Sequence, residues 1–196
     1  EGLDCDGANM WVGANLTKSV GGVATQEYKI LAVNPASGKV CRTMPLPATV
    51  VLNIGVAVGG GYVWAVGIIA DDEGNFTRDM LWKLDSVTGA VVASWPLPAE
   101  MNYFGATAIE YVNGAIWLGE QYGHNPYTGI PGDPRIYRLD AWNGQVLDSF
   151  PAPYGNAAPY KSLHRLAATG DRTMWVSAAC SSDGHGVRGW RSFCCL

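Results

Sequence analysis

The sequence predicts an all-β fold, a β-propeller of four-stranded blades with about 3.5 to 4 blades in the chain, and three recurring anchors carry that prediction. The first is an apolar residue followed by tryptophan: Met10-Trp11, Val63-Trp64, Ile116-Trp117 and Met174-Trp175, with the tryptophans 53, 53 and 58 residues apart. The second is an alternating run closed by a turn, Ile30 to Val40, Leu81 to Val91 and Ile136 to Val146, whose Gly38, Gly89 and Gly144 lie 51 and 55 apart. The third is a proline pair that ends each unit: Pro45 and Pro47, Pro96 and Pro98, Pro151 and Pro153.

The elements follow in order. Blade one takes residues 1–47 and opens on a first strand at Gly2 to Asp6, ahead of Trp11. Blade two, 48–98, shows all four strands as short β-branched or aromatic stretches: Gly55 to Val58, Tyr62 to Val66, Met80 to Leu84 and Ala90 to Leu97. Blade three takes 99–153, and a partial blade four, 154–180, holds Leu163 to Thr169 and Thr173 to Ala178. Residues 181–196 read as an irregular tail, because they lack the alternating third strand, the turn and the proline pair. The whole is one propeller domain, with almost no helix, since no segment sustains apolar spacing of three and four.

The turns Asn34 to Gly38, Asp85 to Gly89 and Asp140 to Gly144 repeat one chemistry. Asn or Asp bonds its own turn backbone and Gly supplies positive φ. These residues are therefore structural. The anchor tryptophans, in register, belong to the blade core, whereas Trp82, Trp142 and Trp190 break register and are candidates for exposure.

Composition narrows the function. With 196 residues the chain can bury a substantial core, and 48% apolar residues with 25 glycines suit a turn-rich β protein. A net charge of −4 with scattered Lys and Arg argues against a nucleic-acid partner. Thr43 to Ala70 carries no charge, as a membrane span would, yet the repeat places a buried strand pair there.

Two sequons, at Asn15 and Asn75, sit at matching places after the Trp strand of blades one and two. With cysteines near both ends they point to a secreted glycoprotein. The five cysteines are Cys5, Cys41, Cys180, Cys194 and Cys195, an odd number. Cys5 paired with Cys180, Cys194 or Cys195 would tie the ends of a closed four-bladed propeller. Vicinal Cys194 and Cys195 would each reach a separate partner, because bonding each other strains the backbone. The other readings of the ending are a piece of a six- to eight-bladed parent, or blade faces and strand edges buried between two chains.

Any binding site belongs on the face that gathers the loops between second and third strands and between blades. Its polar candidates are Asp71, Asp72, Glu73, Glu120, His124, Tyr160 and His164; His185 lies in the tail and is assigned nothing. Asp71 to Asn75 offers oxygens to a cation but lacks the spacing of an EF-hand loop, which favours a solvated turn.

The runs Gly55-Val-Ala-Val58, Val63-Trp-Ala-Val-Gly67, Leu81-Trp-Lys-Leu-Asp85 and Trp95-Pro-Leu-Pro98 resemble blades of the virginiamycin B lyase (streptogramin lyase) group and of related YVTN-type propellers. The resemblance covers Glu1 to about Ala178. It implies a site with a His opening the first strand of a blade, a Glu just after the Trp strand and a divalent cation nearby. His164, 11 before Trp175, matches the His position, and Glu120, three after Trp117, matches the Glu position. No blade carries both. Two functions follow. The first is a non-enzymatic extracellular module that binds a carbohydrate or small molecule, or joins copies of itself or another propeller half. The second is a divalent-metal-dependent lyase or lactonase-like enzyme using Glu120 and His164 as base and metal or substrate contact.

Overall fold

The computed structural model describes residues 2–47, 49–98, 101, 106–120, 134–152, 160–168, 174–181 and 190–195. Every regular element among them is a β-strand, and the chain forms two compact units, Glu1–Pro96 and Leu97–Leu196. The first unit holds β1 (Leu3–Cys5), β2 (Met10–Val20), β3 (Val23–Val33) and β4 (Val40–Pro45), then β5 (Val50–Gly59), β6 (Tyr62–Ala70), β7 (Phe76–Asp85) and β8 (Val91–Pro96). The second holds β9 (Ala106–Val112), β10 (Ala115–Glu120), β11 (Arg135–Asp140) and β12 (Val146–Pro151), then β13 (Tyr160–Ala168), β14 (Met174–Ser181) and β15 (Trp190–Cys195).

Within each sheet every strand pairs antiparallel with its neighbour in sequence, which gives three four-stranded sheets and one three-stranded sheet among the described residues. Four-stranded meanders of this kind are propeller blades. Turn chemistry sets where the outer strands reverse. Asn34, Asp85 and Asp140 each accept two backbone amides of their own turn through Oδ1. Gly38, Gly89 and Gly144 close these turns with φ of 68°, 73° and 71°.

Two expectations are corrected. The stretches Asn15 to Tyr28 and Ile68 to Asp79, which the repeat assigns to loops between second and third strands, are strand pairs in most of their length, because β2 and β3 stay paired from Met10–Val33 to Val20–Val23 and β6 and β7 from Tyr62–Asp85 to Ala70–Phe76. The tip Gly21-Gly22 has positive φ at both residues, the geometry of a two-residue hairpin turn. The ion pair of Glu27 with Lys18 braces the first ribbon across its two strands, and Glu27 also pairs with Lys29 along β3. In the segment read as an irregular tail, Trp190–Cys195 is β15, paired with β14. Aromatic, β-prone residues there satisfy an edge that β14 would otherwise leave open. The charge-free stretch Thr43 to Ala70 contributes the β5–β6 pair, and no described helix is long and apolar enough to cross a membrane.

Blade packing follows one rule in both units. Alternation along a strand gives each blade a face with the anchor Trp and a face with the residues one position away. In the first unit the Trp11 face of blade one, with Ile30, Ala32 and Met44, packs on Val56, Val63, Ala65, Trp82 and Leu84 of blade two. In the second unit Trp117, with Ala108, Ile136 and Phe150 of blade three, packs on Leu166, Met174 and Val176 of blade four. Trp82 thus belongs to the core at 3% exposure, a correction that follows from its alternate-face register. At the start of β1 the backbones come so close that a Cβ on Gly2 would lie 2.2 Å from the Val56 nitrogen.

Candidate functional site

Glu120 ends β10 at a break in register after Gly119, where it pairs with Ala106. Such a bulge re-aims a side chain, and here it turns the carboxylate inward. Glu120 is 2% exposed, and its Oε2 accepts the backbone amide of Arg135 at 2.8 Å. Arg135 in turn donates through Nη2 to the carbonyl and hydroxyl of Ser149, at 3.0 and 2.9 Å. This network clamps the base of the long β10–β11 connection.

His164 lies in β13 at the register shift between Leu163 and Arg165. It shares the second unit with Glu120, on the neighbouring blade, but its side chain falls outside the described residues, as do those of Tyr160, Cys180, Cys194 and Cys195. His124 and His185 lie outside them entirely. Backbone register places Cys194 opposite Trp175, Cys195 opposite Met174 and Cys180 opposite Lys161. Cys5 and Cys41 are exposed free thiols.

The acidic turn binds itself. Asp71 Oδ1 accepts the amides of Glu73 and Asn75 at 3.0 and 2.8 Å, and Asn75 Nδ2 donates to Asp71 Oδ2 and Glu73 Oε2 at 3.2 and 3.3 Å. Bonds from Asn75 hold the Asp71 carboxyl below its usual range. Asp72 is exposed beside it. No group of three His, Cys, Asp or Glu that could hold a metal occurs among the described residues. Asn15 is exposed within β2 rather than in a loop, and Asn75 is exposed at the mouth of its turn.

The residues that the sequence left unread are those whose role depends on packing. Asp79, expected in a loop, is on β7 opposite Ile68, and burial alone pushes its carboxyl up to about 7. Trp175, expected in the core, is 42% exposed, because it points to the face of blade four away from blade three. Trp142, on the β11–β12 turn, is 83% exposed, as its break in register predicts.

No protein-family model matches the chain, and no curated protein does. Among solved structures it is similar to a quinohemoprotein alcohol dehydrogenase from Comamonas testosteroni, with a TM-score of 0.54 and 15% identity over 89% of this chain and 28% of that one. It is also similar to MPT-4, a mannose phosphorylase from Leishmania mexicana solved with a phosphate ion, with a TM-score of 0.58 and 11% identity over 97% of this chain and 64% of that one. The chain therefore spans less than two thirds of the length of either. Likeness at such identity concerns fold alone, and together with the blade meanders it makes this chain an all-β protein of propeller blades.

Proposed function

We propose that this chain is a non-enzymatic extracellular propeller module that works by joining its blade faces to other propeller surfaces, either copies of itself or another propeller half. The observation that carries this reading is Trp175. Its equivalents Trp11 and Trp64 are 2% and 1% exposed, whereas Trp175 is 42% exposed on a sheet face. A large aromatic exposed on a sheet face favours a partner over water.

The polar residues support the same reading. Glu120 and Asp71 accept backbone amides of their own blades, and Asp6 Oδ2 accepts the Trp11 indole N–H at 2.8 Å. Carboxylates engaged in this way hold a scaffold in place. The resemblance to streptogramin lyase-like blades accordingly fits a shared scaffold, since Ala14, Gly67 and Ala178 stand where blade three has Glu120. The exposed sequons at Asn15 and Asn75 support a place outside the cell.

Sedimentation velocity over a wide concentration range, with and without reductant, tests the proposal. Reversible, concentration-dependent association that survives reductant is expected. A monomer under every condition would end this reading.

A further inference from the structure

We infer that copies of this chain join head to tail, the Trp175 face of blade four in one copy seating on the Leu3, Val12 and Leu31 face of blade one in another; this rests on the assembly reading above and names its surfaces. The argument starts from register. Leu3 pairs with Val12 and Val12 with Leu31 across blade one, as Val56 pairs with Ala65 and Ala65 with Trp82 across blade two. Met10 and Val33 likewise correspond to Val63 and Leu84.

In blade two these positions are the socket for Trp11, and all of them are 3% exposed or less. In blade four the corresponding Leu166, Met174 and Val176 are the socket for Trp117. The same socket on blade one is open: Leu3 is 47% exposed, and Met10, Val12, Leu31 and Val33 are only half-buried. Among the described residues, blade one thus presents an open socket of the kind that is filled within each unit. Among the described residues the anchor tryptophan of blade four, Trp175, is 42% exposed.

A Trp face and a socket face are different surfaces, so their pairing between copies is heterologous. This separates it from association through two like faces. Trp175 on one side and the Leu3, Val12 and Leu31 patch on the other would supply the desolvated aromatic anchor that dominates such interfaces.

The test uses the full chain and two face variants, Trp175→Arg on the Trp side and Val12→Arg on the socket side. Where Val12→Arg unfolds the chain, Leu3→Glu, at an exposed position, replaces it; Trp175→Gln serves the same purpose on the other side. Each variant alone is expected to weaken association by about tenfold or more, as loss of a central anchor does. Mixing the two variants, one carrying a mass tag, is expected to yield mixed dimers, because one native Trp face and one native socket remain.

The failures are distinguishable. A native chain that is always monomeric overturns both the assembly reading and this pairing. Association that ignores both substitutions leaves assembly standing and overturns the pairing. Loss in one variant alone shows like faces meeting, and loss in both without mixed dimers shows that the two faces do not fit each other; either result also overturns it.

Discussion

The carboxylate of Asp4 accepts the backbone amide of Val58 through Oδ2 at 2.6 Å, which fastens the first strand of blade one to the first strand of blade two. Asp4 lies opposite Trp11, and on the far side of the same row Arg42 Nη1 donates to the carbonyl of Ser86. The buried Trp11 is therefore flanked by two polar links to the backbone of the next blade.

Replacing Asp4 separates hydrogen bonding from charge. Burial is the largest influence on this carboxyl and leaves it above its usual range, despite amides from Cys5 and Val58 that pull it down. Asp4→Ala leaves the Val58 amide without its acceptor and should cost about 1–3 kcal/mol in urea unfolding. Asp4→Asn keeps an acceptor oxygen and removes the desolvated charge, so its cost should be well under half of that. Equal losses in the two variants would contradict the link.

Glu120 makes the same kind of prediction at the candidate catalytic position. Glu120→Gln retains an oxygen for the Arg135 amide, whereas Glu120→Ala orphans it. Unfolding should show a loss of about 1–3 kcal/mol for Ala and much less for Gln. A Gln variant as unstable as Ala would mean that the negative charge, rather than the acceptor, matters here.

These two sites also show what a sequence can disclose. The turns at Asn34, Asp85 and Asp140 were legible because donor, acceptor and glycine lie within five residues. The position of Glu120 was legible from its distance to Trp117, but its role was not, because its partner lies 15 residues away across a connection. Trp82 and Trp175 were misplaced for a shared reason. A blade buried on both faces has no polar side to mark which residues point inward, so exposure depends on whether a neighbouring blade is present. Trp82 packs against blade one and is 3% exposed, whereas Trp175 is 42% exposed.

Asp79 should make stability depend on pH. Its folded value is about 7 against 3.8 for an unperturbed Asp, so the folded chain keeps this proton after the unfolded chain has lost it. Its contribution is intact below about pH 4 and is lost progressively as pH rises to about 7. The unscreened shift amounts to roughly 4 kcal/mol, and partial solvent access reduces this to about 1–2 kcal/mol. Asp79→Asn should leave stability unchanged at pH 3.5 and raise it at pH 8, as read from urea midpoints at the two pH values. Identical effects at both would show that Asp79 titrates normally.

Lys83 and Arg138 occupy one repeat position and do one job. Each lies directly opposite its blade's anchor, Trp64 or Trp117. Lys83 Nζ is 4.0 Å from the Tyr62 ring centroid and 5.1 Å from that of Trp64, and the Arg138 guanidinium carbon is 5.7 Å from that of Trp117. Lys83 is only 7% exposed, and the ring faces stand in for part of the water its cation has lost. Lys83→Met keeps the apolar stem and removes the charge. It should cost about 1–2 kcal/mol, and Arg138→Met, at a half-buried site, about 0.5–1 kcal/mol. Blade one has Ala32 at this position, 2% exposed beneath Trp11, so Ala32→Lys should be the most damaging of the three: its cation would enter a packed interface instead of lying over a ring. Chemical unfolding of the three variants side by side checks the order, and an Ala32→Lys protein as stable as the native chain would refute it.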